Sequence, residues 1–470
     1  MGLMDRLADA VGAAQVLTGA EAARYGRDWT GAYVAQPLAV ARPGSTAEVA
    51  AVVRAAAAAG VAVVPVGGNT GLVGGTMAAG AVMLSLERMN RIRALKPAPR
   101  VVVAEAGVVL QRIHEAAAAE GLYFPLWFGA RGSAMLGGAL ATNAGGSNVL
   151  RYGSTRSLCL GVEVVLADGR VLDLMREVHK DNSGYDLRDL FIGAEGTLGI
   201  ITAAVMRLVP LPAAHATATL AARSLPDALV LLNRLQVATG GAVEAFEFMP
   251  ASYQRRLAAV RPDIGLPFAD IHDVVILVEV GATAPRDAAP GPDGAVPVAR
   301  LLEETLGTLM EEGLVRDAVI ARSEAQRRAM WARREAAAEI TFARKPFIDT
   351  DVAVPLDAVA TFLDRIAARL PALDPGAETV TVAHLGDGNL HFAVFPTADD
   401  PGGAHRQAIL AAIEDTVAEL GGSFSAEHGV GLSKRASMAR RKDPVALDVM
   451  RALKAALDPA GTLNPGKVLP

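Results

Sequence analysis

One cysteine in 470 residues rules out most sulfur chemistry. Cys159 alone excludes an internal disulfide framework, a multi-cysteine zinc site and an iron–sulfur cluster. It sits in Leu-Cys-Leu-Gly ahead of an apolar stretch and reads as a buried structural thiol. A reducing, cytoplasmic compartment is the simplest expectation. No long block of lysine or arginine occurs, and the net charge is -5, so neither nucleic acid nor an anionic membrane is an expected partner. No charged residue stands between Arg54 and Glu87, yet Pro65, Asn69, Thr70 and many glycines interrupt that stretch and exclude a spanning helix. The first residues carry Asp5 and Asp9 and no compact apolar run, which does not read as a signal peptide. No internal repeat is visible.

What remains is the composition of a folded protein, 51% hydrophobic and 20% charged, long enough for two or three domains. Thr46–Ala59 reads as a helix capped by Ser45 or Thr46 and ended before Gly60. Val61–Val66, Val82–Leu86 and Val101–Ala104 read as short strands, Leu110–Glu120 as a helix, and Val162–Leu166 with Val171–Leu174 as a hairpin around Asp168-Gly169. Pro210 and Pro212 mark a boundary. Beyond it, strands at Ala216–Leu220, Val274–Val280, Thr379–Ala383 and Leu390–Phe395 alternate with helices at Leu225–Thr239, Val298–Glu312, Glu324–Arg344 and Asp357–Leu370. The pattern is α+β, an antiparallel sheet with helices expected on one face. Two helices are expected after about residue 405, followed by a Pro/Gly-rich tail.

Three glycine-rich stretches carry little or no charge. The first runs from Val64 to Gly75 and holds Pro65, Gly67, Gly68, Asn69, Thr70, Gly71, Gly74 and Gly75. The second holds Gly137, Gly138, Thr142, Asn143, Gly145 and Gly146; the third is Gly193-Ala-Glu195-Gly196-Thr-Leu-Gly199, followed by Ile201. Glycine reaches positive φ, so successive amide groups can converge on phosphate oxygens. The first stretch contains no Gly-x-Gly pair and no Gly-Lys-Ser/Thr, which disfavours a Rossmann nicotinamide site and a P-loop. A single loop of this kind is usually a tight turn. Three together favour one long phosphate-containing cofactor.

Of eight histidines, three fall in two short motifs: His384-Leu-Gly-Asp-Gly-Asn-Leu-His391 and Glu427-His428-Gly429. Two imidazoles and a carboxylate make a good shell for a divalent metal with an open position, leaving one histidine as a base. Such a set also suits a metal hydrolase without flavin, or a flavin protein whose metal is structural. Histidine pairs in strands are, more often, hydrogen-bonded core features.

Asp28-Trp29-Thr30, the first two glycine-rich stretches, Lys180-Asp-Asn-Ser-Gly-Tyr-Asp-Leu187 and Glu195-Gly-Thr-Leu-Gly199 stand in the order of the flavin-binding domain of the vanillyl-alcohol oxidase superfamily, which the chain resembles along nearly its whole length. The C-terminal half, closed by Asn464-Pro-Gly-Lys467, resembles the D-2-hydroxyacid dehydrogenase branch, which holds D-lactate, D-2-hydroxyglutarate and glycolate enzymes. The resemblance implies an FAD-binding domain of two α/β lobes over residues 1–210. It implies an antiparallel-sheet cap over 211–415 and a C-terminal helical segment, 416–470, that completes the active site and the FAD domain. FAD is expected to be noncovalent, since the loops offer neither His nor Cys for attachment. Its pyrophosphate is expected at Gly67–Gly75 and its ring near Asn143, Gly145, Gly146 and Glu195–Ile201, with Asn464 from the tail. Ala139 departs from the Asn that relatives often carry after Gly-Gly.

The resemblance further implies a divalent metal on His384, His391 and Glu427 (zinc first, with manganese or iron as alternatives), His428 as base, Arg334 as carboxylate clamp and Asn389 beside the substrate. The expected reaction takes a D-2-hydroxyacid to the 2-oxoacid, with the α-hydrogen leaving as hydride to flavin. The electron acceptor is expected to be an electron-transfer flavoprotein or quinone, and a homodimer follows by family analogy. Hydroxyglutarate enzymes carry Thr, Lys and Asn where this chain has Ala338, Asp349 and Ala393. That favours a D-lactate-like substrate, with D-2-hydroxyglutarate as the alternative.

Overall fold

A computed structural model describes residues 1–292, 294–400 and 402–470. The chain divides into two compact units. One gathers Met1–Gly145, Gly153–Pro210 and Glu427–Pro470; the other gathers Gly146–Tyr152 and Leu211–Ala426.

The first unit contains two main sheets. A four-stranded sheet has Val16–Leu17, Ala39–Ala41, Val82–Ser85 and Val63–Val66 in that spatial order. Val82–Ser85 pairs in parallel with both Ala39–Ala41 and Val63–Val66. The helix Thr46–Ala58 starts where Ser45 accepts from the Glu48 amide, and it buries Val49, Val52 and Val53. The chain's far end joins this sheet: the Val63 amide donates to Thr462, and the Asn464 amide donates to Val63. A five-stranded antiparallel sheet orders Ile92–Lys96, Val101–Glu105, Ile200–Arg207, Cys159–Val165 and Val171–Leu174. Cys159 is buried, and desolvation pushes its thiol up to about 12, so it is an inert packing residue.

The second unit is built on one antiparallel sheet of seven strands. Their order is Val315–Ile320, Ala214–Ala222, Val274–Ala282, Val243–Pro250, Glu378–His384, Asn389–Phe395 and Ile348–Ala353. Helices cover both faces rather than the one face expected from the sequence. Leu225–Ala238, Pro297–Glu311, Val359–Leu373 and Ala404–Glu419 bury Leu231, Leu302, Phe362 and Ile409 against one face. Ala251–Val260, Glu324–Glu335 and Ala337–Phe342 bury Tyr253, Leu257, Met330 and Ile340 against the other. The single helix expected over 324–344 thus stops at Glu335 and restarts at Ala337. Beyond residue 403 there are three helices rather than two, Ala404–Glu419, Arg435–Arg441 and Pro444–Leu457.

The face under the shorter helices carries buried acids. Glu279 is held by Arg327 at 2.6 Å, by the Trp331 indole at 2.9 Å and by the Thr217 hydroxyl at 2.6 Å. Glu244, on a bulge, takes Arg151 at 2.9 Å, the Tyr152 hydroxyl at 2.6 Å and His215 at 3.3 Å. Each buried carboxylate is therefore matched by donors, as desolvation demands.

Packing on the opposite face generates a stability prediction. Phe362 is fully buried and meets Phe392 edge-on at 5.6 Å. Phe362→Ala removes a ring from a closed core and is expected to cost about 3–5 kcal/mol. A guanidinium unfolding curve followed by circular dichroism checks this; an unchanged midpoint would contradict the packing described.

Candidate functional site

In the first unit the three glycine-rich stretches meet, and the glycines show how closely. A Cβ on Gly68 would lie 2.1 Å from the Ser133 carbonyl oxygen, which presses the first stretch against the run into Gly137. A Cβ on Gly196 would lie 2.5 Å from Pro65, bringing the third stretch onto the first. The Gly193 and Glu195 amides donate to Leu140 and Ala141, joining the third stretch to the second. Asn464 ties the first and third from the tail: its Nδ2 donates to the carbonyls of Gly75 at 3.0 Å and Glu195 at 2.7 Å.

The individual residues then separate by task. Gly137 and Gly199 are packing positions, where a Cβ would strike Ala106 or Val164. Gly71 and Gly138 have no heavy atom within 4 Å of such a Cβ, so backbone is open to a ligand there. Gly74 adopts φ +68 under the Tyr33 ring. Asn69 is left-handed, donating to the Arg27 carbonyl at 2.9 Å and accepting from Thr76 at 2.7 Å. Thr70 is partly exposed beside it. Asn143, also left-handed, accepts from the Arg156 amide, and Thr142 donates to the Gly138 carbonyl. Ile201 is buried at a strand irregularity. Gly145 closes its run in this unit, whereas Gly146 opens the short segment that belongs to the other. Converging loops with open glycine backbone suit a long cofactor bearing phosphates.

The Glu427-His428 motif lies among these loops. A Cβ on Gly145 would fall 2.3 Å from a Glu427 carboxylate oxygen. Just past His428 the chain is anchored: Glu195 accepts from the amides of Val430 at 2.7 Å and Gly431 at 2.9 Å. Leu432 and Ser433 donate to the Val73 carbonyl. Gly429 at φ +78 and Gly431 at φ +48 supply the bends that this path needs. Burial pushes the Glu195 carboxyl above its ordinary range despite the two amides it receives. Glu195 thus braces the Glu427-His428 turn through its side chain, a contact the sequence reading did not foresee.

The second unit holds the histidine pair. His384 ends one strand and pairs with Asn389; His391, two residues on, pairs with Val382. All four side chains share a face, so the two imidazoles are diagonal neighbours, 5.3 Å apart between centroids and at 82°. Across the next strand, Asp351 stands opposite His391, with an oxygen 3.9 Å from its Nδ1. Asn389 spends its amide nitrogen on Asp351 at 2.9 Å and on the Val352 carbonyl at 3.0 Å. Its Oδ1 is buried with no partner among the described residues, so the side chain offers an acceptor and no spare donor. Asp351 also receives the amide of Ala426, the residue before Glu427, at 3.2 Å.

Four arginines share the neighbouring helix, and the structure sorts them. Arg327 serves Glu279, Arg328 is exposed, and Arg333 donates to the Gly265 carbonyl. Arg334 is the buried one. It donates from Nε to Glu247 at 2.7 Å, and its Nη2 lies 3.5 Å from His384 Nε2. Glu247 in turn faces His384 Nδ1 at 2.8 Å. Burial alone would raise the Glu247 carboxyl; its partners His384 and Arg334 outweigh it and hold the group below its usual range. No sequence motif marked Glu247 or Asp351. The one available signal was an acid amid apolar residues in Phe246-Glu247-Phe248-Met249.

The donor chemistry fits a divalent metal: two imidazoles converge on one face, and each has a buried carboxylate behind it. Within this unit, His384 and His391 are the residues that would hold it.

Family models match in two places. The FAD binding domain covers residues 37–175, and the C-terminal domain of FAD linked oxidases covers residues 211–468. The chain is 40% identical over 463 residues to a D-2-hydroxyglutarate dehydrogenase of Xanthomonas citri pv. viticola, covering 96% of this chain and 93% of that protein. It is 36% identical over 476 residues to a D-2-hydroxyglutarate dehydrogenase of Stutzerimonas stutzeri, covering 99% and 98%. Among solved structures, p-cresol methylhydroxylase with substrate bound superposes with a TM-score of 0.73 at 16% identity over 99% of this chain and 96% of that one, a likeness of fold. With converging glycine loops in one unit and a histidine-bearing antiparallel sheet in the other, the chain belongs to the FAD-linked oxidases.

Proposed function

We propose that this protein oxidises a D-2-hydroxyacid with a short, uncharged tail to the 2-oxoacid, using noncovalent FAD and a divalent metal. The observation that carries the reading is the pair His384 and His391 on one sheet face with the buried Arg334 of the covering helix beside His384, in a chain whose other unit gathers cofactor loops around Glu427-His428. Relatives named as D-2-hydroxyglutarate dehydrogenases support the reaction class.

The roles follow from the side chains. Arg334 offers its outer guanidinium edge to the substrate carboxylate, since its Nε is already engaged. His384 and His391, with Glu427, are the residues to hold the metal. His428 takes the hydroxyl proton. When bound, a metal would supply polarisation of the hydroxyl, and FAD would supply the hydride acceptor.

The tail is read from three positions: Ala338, Asp349 and Ala393 stand where hydroxyglutarate enzymes carry Thr, Lys and Asn. Ala393 lies opposite Asp349 in the strand register, and Asp349 is exposed. Two methyl groups and a carboxylate suit an uncharged tail and offer no cation to a second carboxylate. The second reading, D-2-hydroxyglutarate, is favoured by the relatives' names and by exposed Lys345 nearby in sequence.

Anaerobic titration of the purified flavoprotein tests the substrate. D-Lactate is expected to bleach the visible flavin absorbance at lower concentration than D-2-hydroxyglutarate, and L-lactate is expected to leave it unchanged. Absence of a flavin band would end the oxidoreductase reading, and bleaching by D-2-hydroxyglutarate alone would reverse the tail assignment. Asp349→Lys is expected to move kcat/KM toward D-2-hydroxyglutarate by roughly 10- to 100-fold, as removal of a like charge at the tail predicts. His428→Ala is expected to lower kcat about 10²- to 10⁴-fold with the flavin retained; turnover within a few-fold of wild type would remove it as the base.

A further inference from the structure

Glu247 sits in the strand Val243–Pro250 with 1% of its surface exposed. Its two oxygens take different partners. One faces His384 Nδ1 at 2.8 Å, and the other accepts from Arg334 Nε at 2.7 Å. Arg334 Nη2 closes the triangle against His384 Nε2 at 3.5 Å. An ionised carboxylate only accepts, so Nδ1 must present its N–H to Glu247, and Nε2 of the neutral ring keeps its lone pair. The ring proton then belongs on Nδ1, where it is donated to Glu247. The strand register makes this pairing obligatory, because Glu247 lies directly opposite His384 on the adjacent strand.

We propose that Glu247 is a positioning residue that sets two tasks with one carboxylate: it holds His384 as an Nε2 metal ligand and aims Arg334 as the clamp for the substrate carboxylate. The inference rests on the metal-assisted reading given above. A carboxylate behind a ligating histidine fixes its tautomer and orientation and raises its basicity. The same carboxylate leaves Arg334 one free edge, so that metal affinity and substrate affinity share a support. Gln at this position has the same shape but only one acceptor. Its NH₂ group would face either the Nδ1 proton or the Arg334 Nε proton, donor against donor, and one of the two links would break.

The test uses full-length protein labelled with ¹⁵N-histidine and loaded with zinc. The His384 signals are identified by comparison with His384→Asn. Wild type is expected to show His384 protonated at Nδ1 and bound to zinc through Nε2. Glu247→Gln is expected to bind zinc roughly 10- to 100-fold more weakly. It is also expected to show a KM for the D-hydroxyacid raised on the order of tenfold. A purely structural role would lower the melting temperature and leave the zinc affinity and KM of the folded protein unchanged. Zinc bound through Nδ1 of His384, or a Glu247→Gln protein with zinc affinity and KM within twofold of wild type, would overturn the inference while leaving the metal reading intact. Wild type that holds zinc no better than His391→Ala would overturn the metal reading, and this inference with it. Should Glu247→Gln not fold, the wild-type spectrum decides alone.

Discussion

A carboxylate removed from water must be met by cations or donors, and much of the second unit is arranged around that requirement. Glu247 and Glu279 lie buried on neighbouring strands of the seven-stranded sheet. Arg334 and Arg327 answer them from one helix. These arginines are seven residues apart, two turns of helix, and so point to the same side. The helix is thereby docked at two points by buried ion pairs, each of which would leave an uncompensated charge if one partner were lost, a cost of about 3–5 kcal/mol. That docking brings a guanidinium to His384. The polar site is thus a by-product of how the sheet satisfies its own acids.

The first unit obeys a different constraint, backbone approach. Its loops contact one another at positions where a Cβ would collide with a carbonyl or a proline ring, as at Gly68 and Gly196. Where such a clash is missing, at Gly71 and Gly138, the bare backbone is exposed to a ligand. Asn464 and Glu195 secure the arrangement through hydrogen bonds to main-chain groups of segments far apart in sequence. The tail contributes the Asn464 bonds and an isolated parallel bridge from Leu463 to Val63.

Regular apolar patterns were legible. The helix Thr46–Ala58, its Ser45 cap and the strands Val63–Val66, Val82–Ser85 and Val274–Ala282 follow from periodicity and end signals. Val243–Pro250 and Ile348–Ala353 were missed, and the reason is physical. Glu244, Glu247 and Asp351 put acids where a buried strand face is expected to be apolar, because Arg151, Arg334 and Asn389 meet them from other elements. The stop at Glu335 was also invisible, since Ala336 and its neighbours are good helix formers and no breaker marks the end.

From the sequence alone came the chemical vocabulary: two imidazoles at a turn between strands, an acid–histidine pair before flexible glycines, three loops of nearly uncharged backbone, and the family these imply. Such features are local, carried by residue type and short spacing. Only the tertiary structure decided which arginine of four is buried, which acids stand behind the histidines, and which glycines are open rather than packed. Those depend on strand register and on contacts between residues such as Glu247 and His384, or Glu195 and Gly431, whose separation along the chain exceeds any spacing that a local pattern can encode.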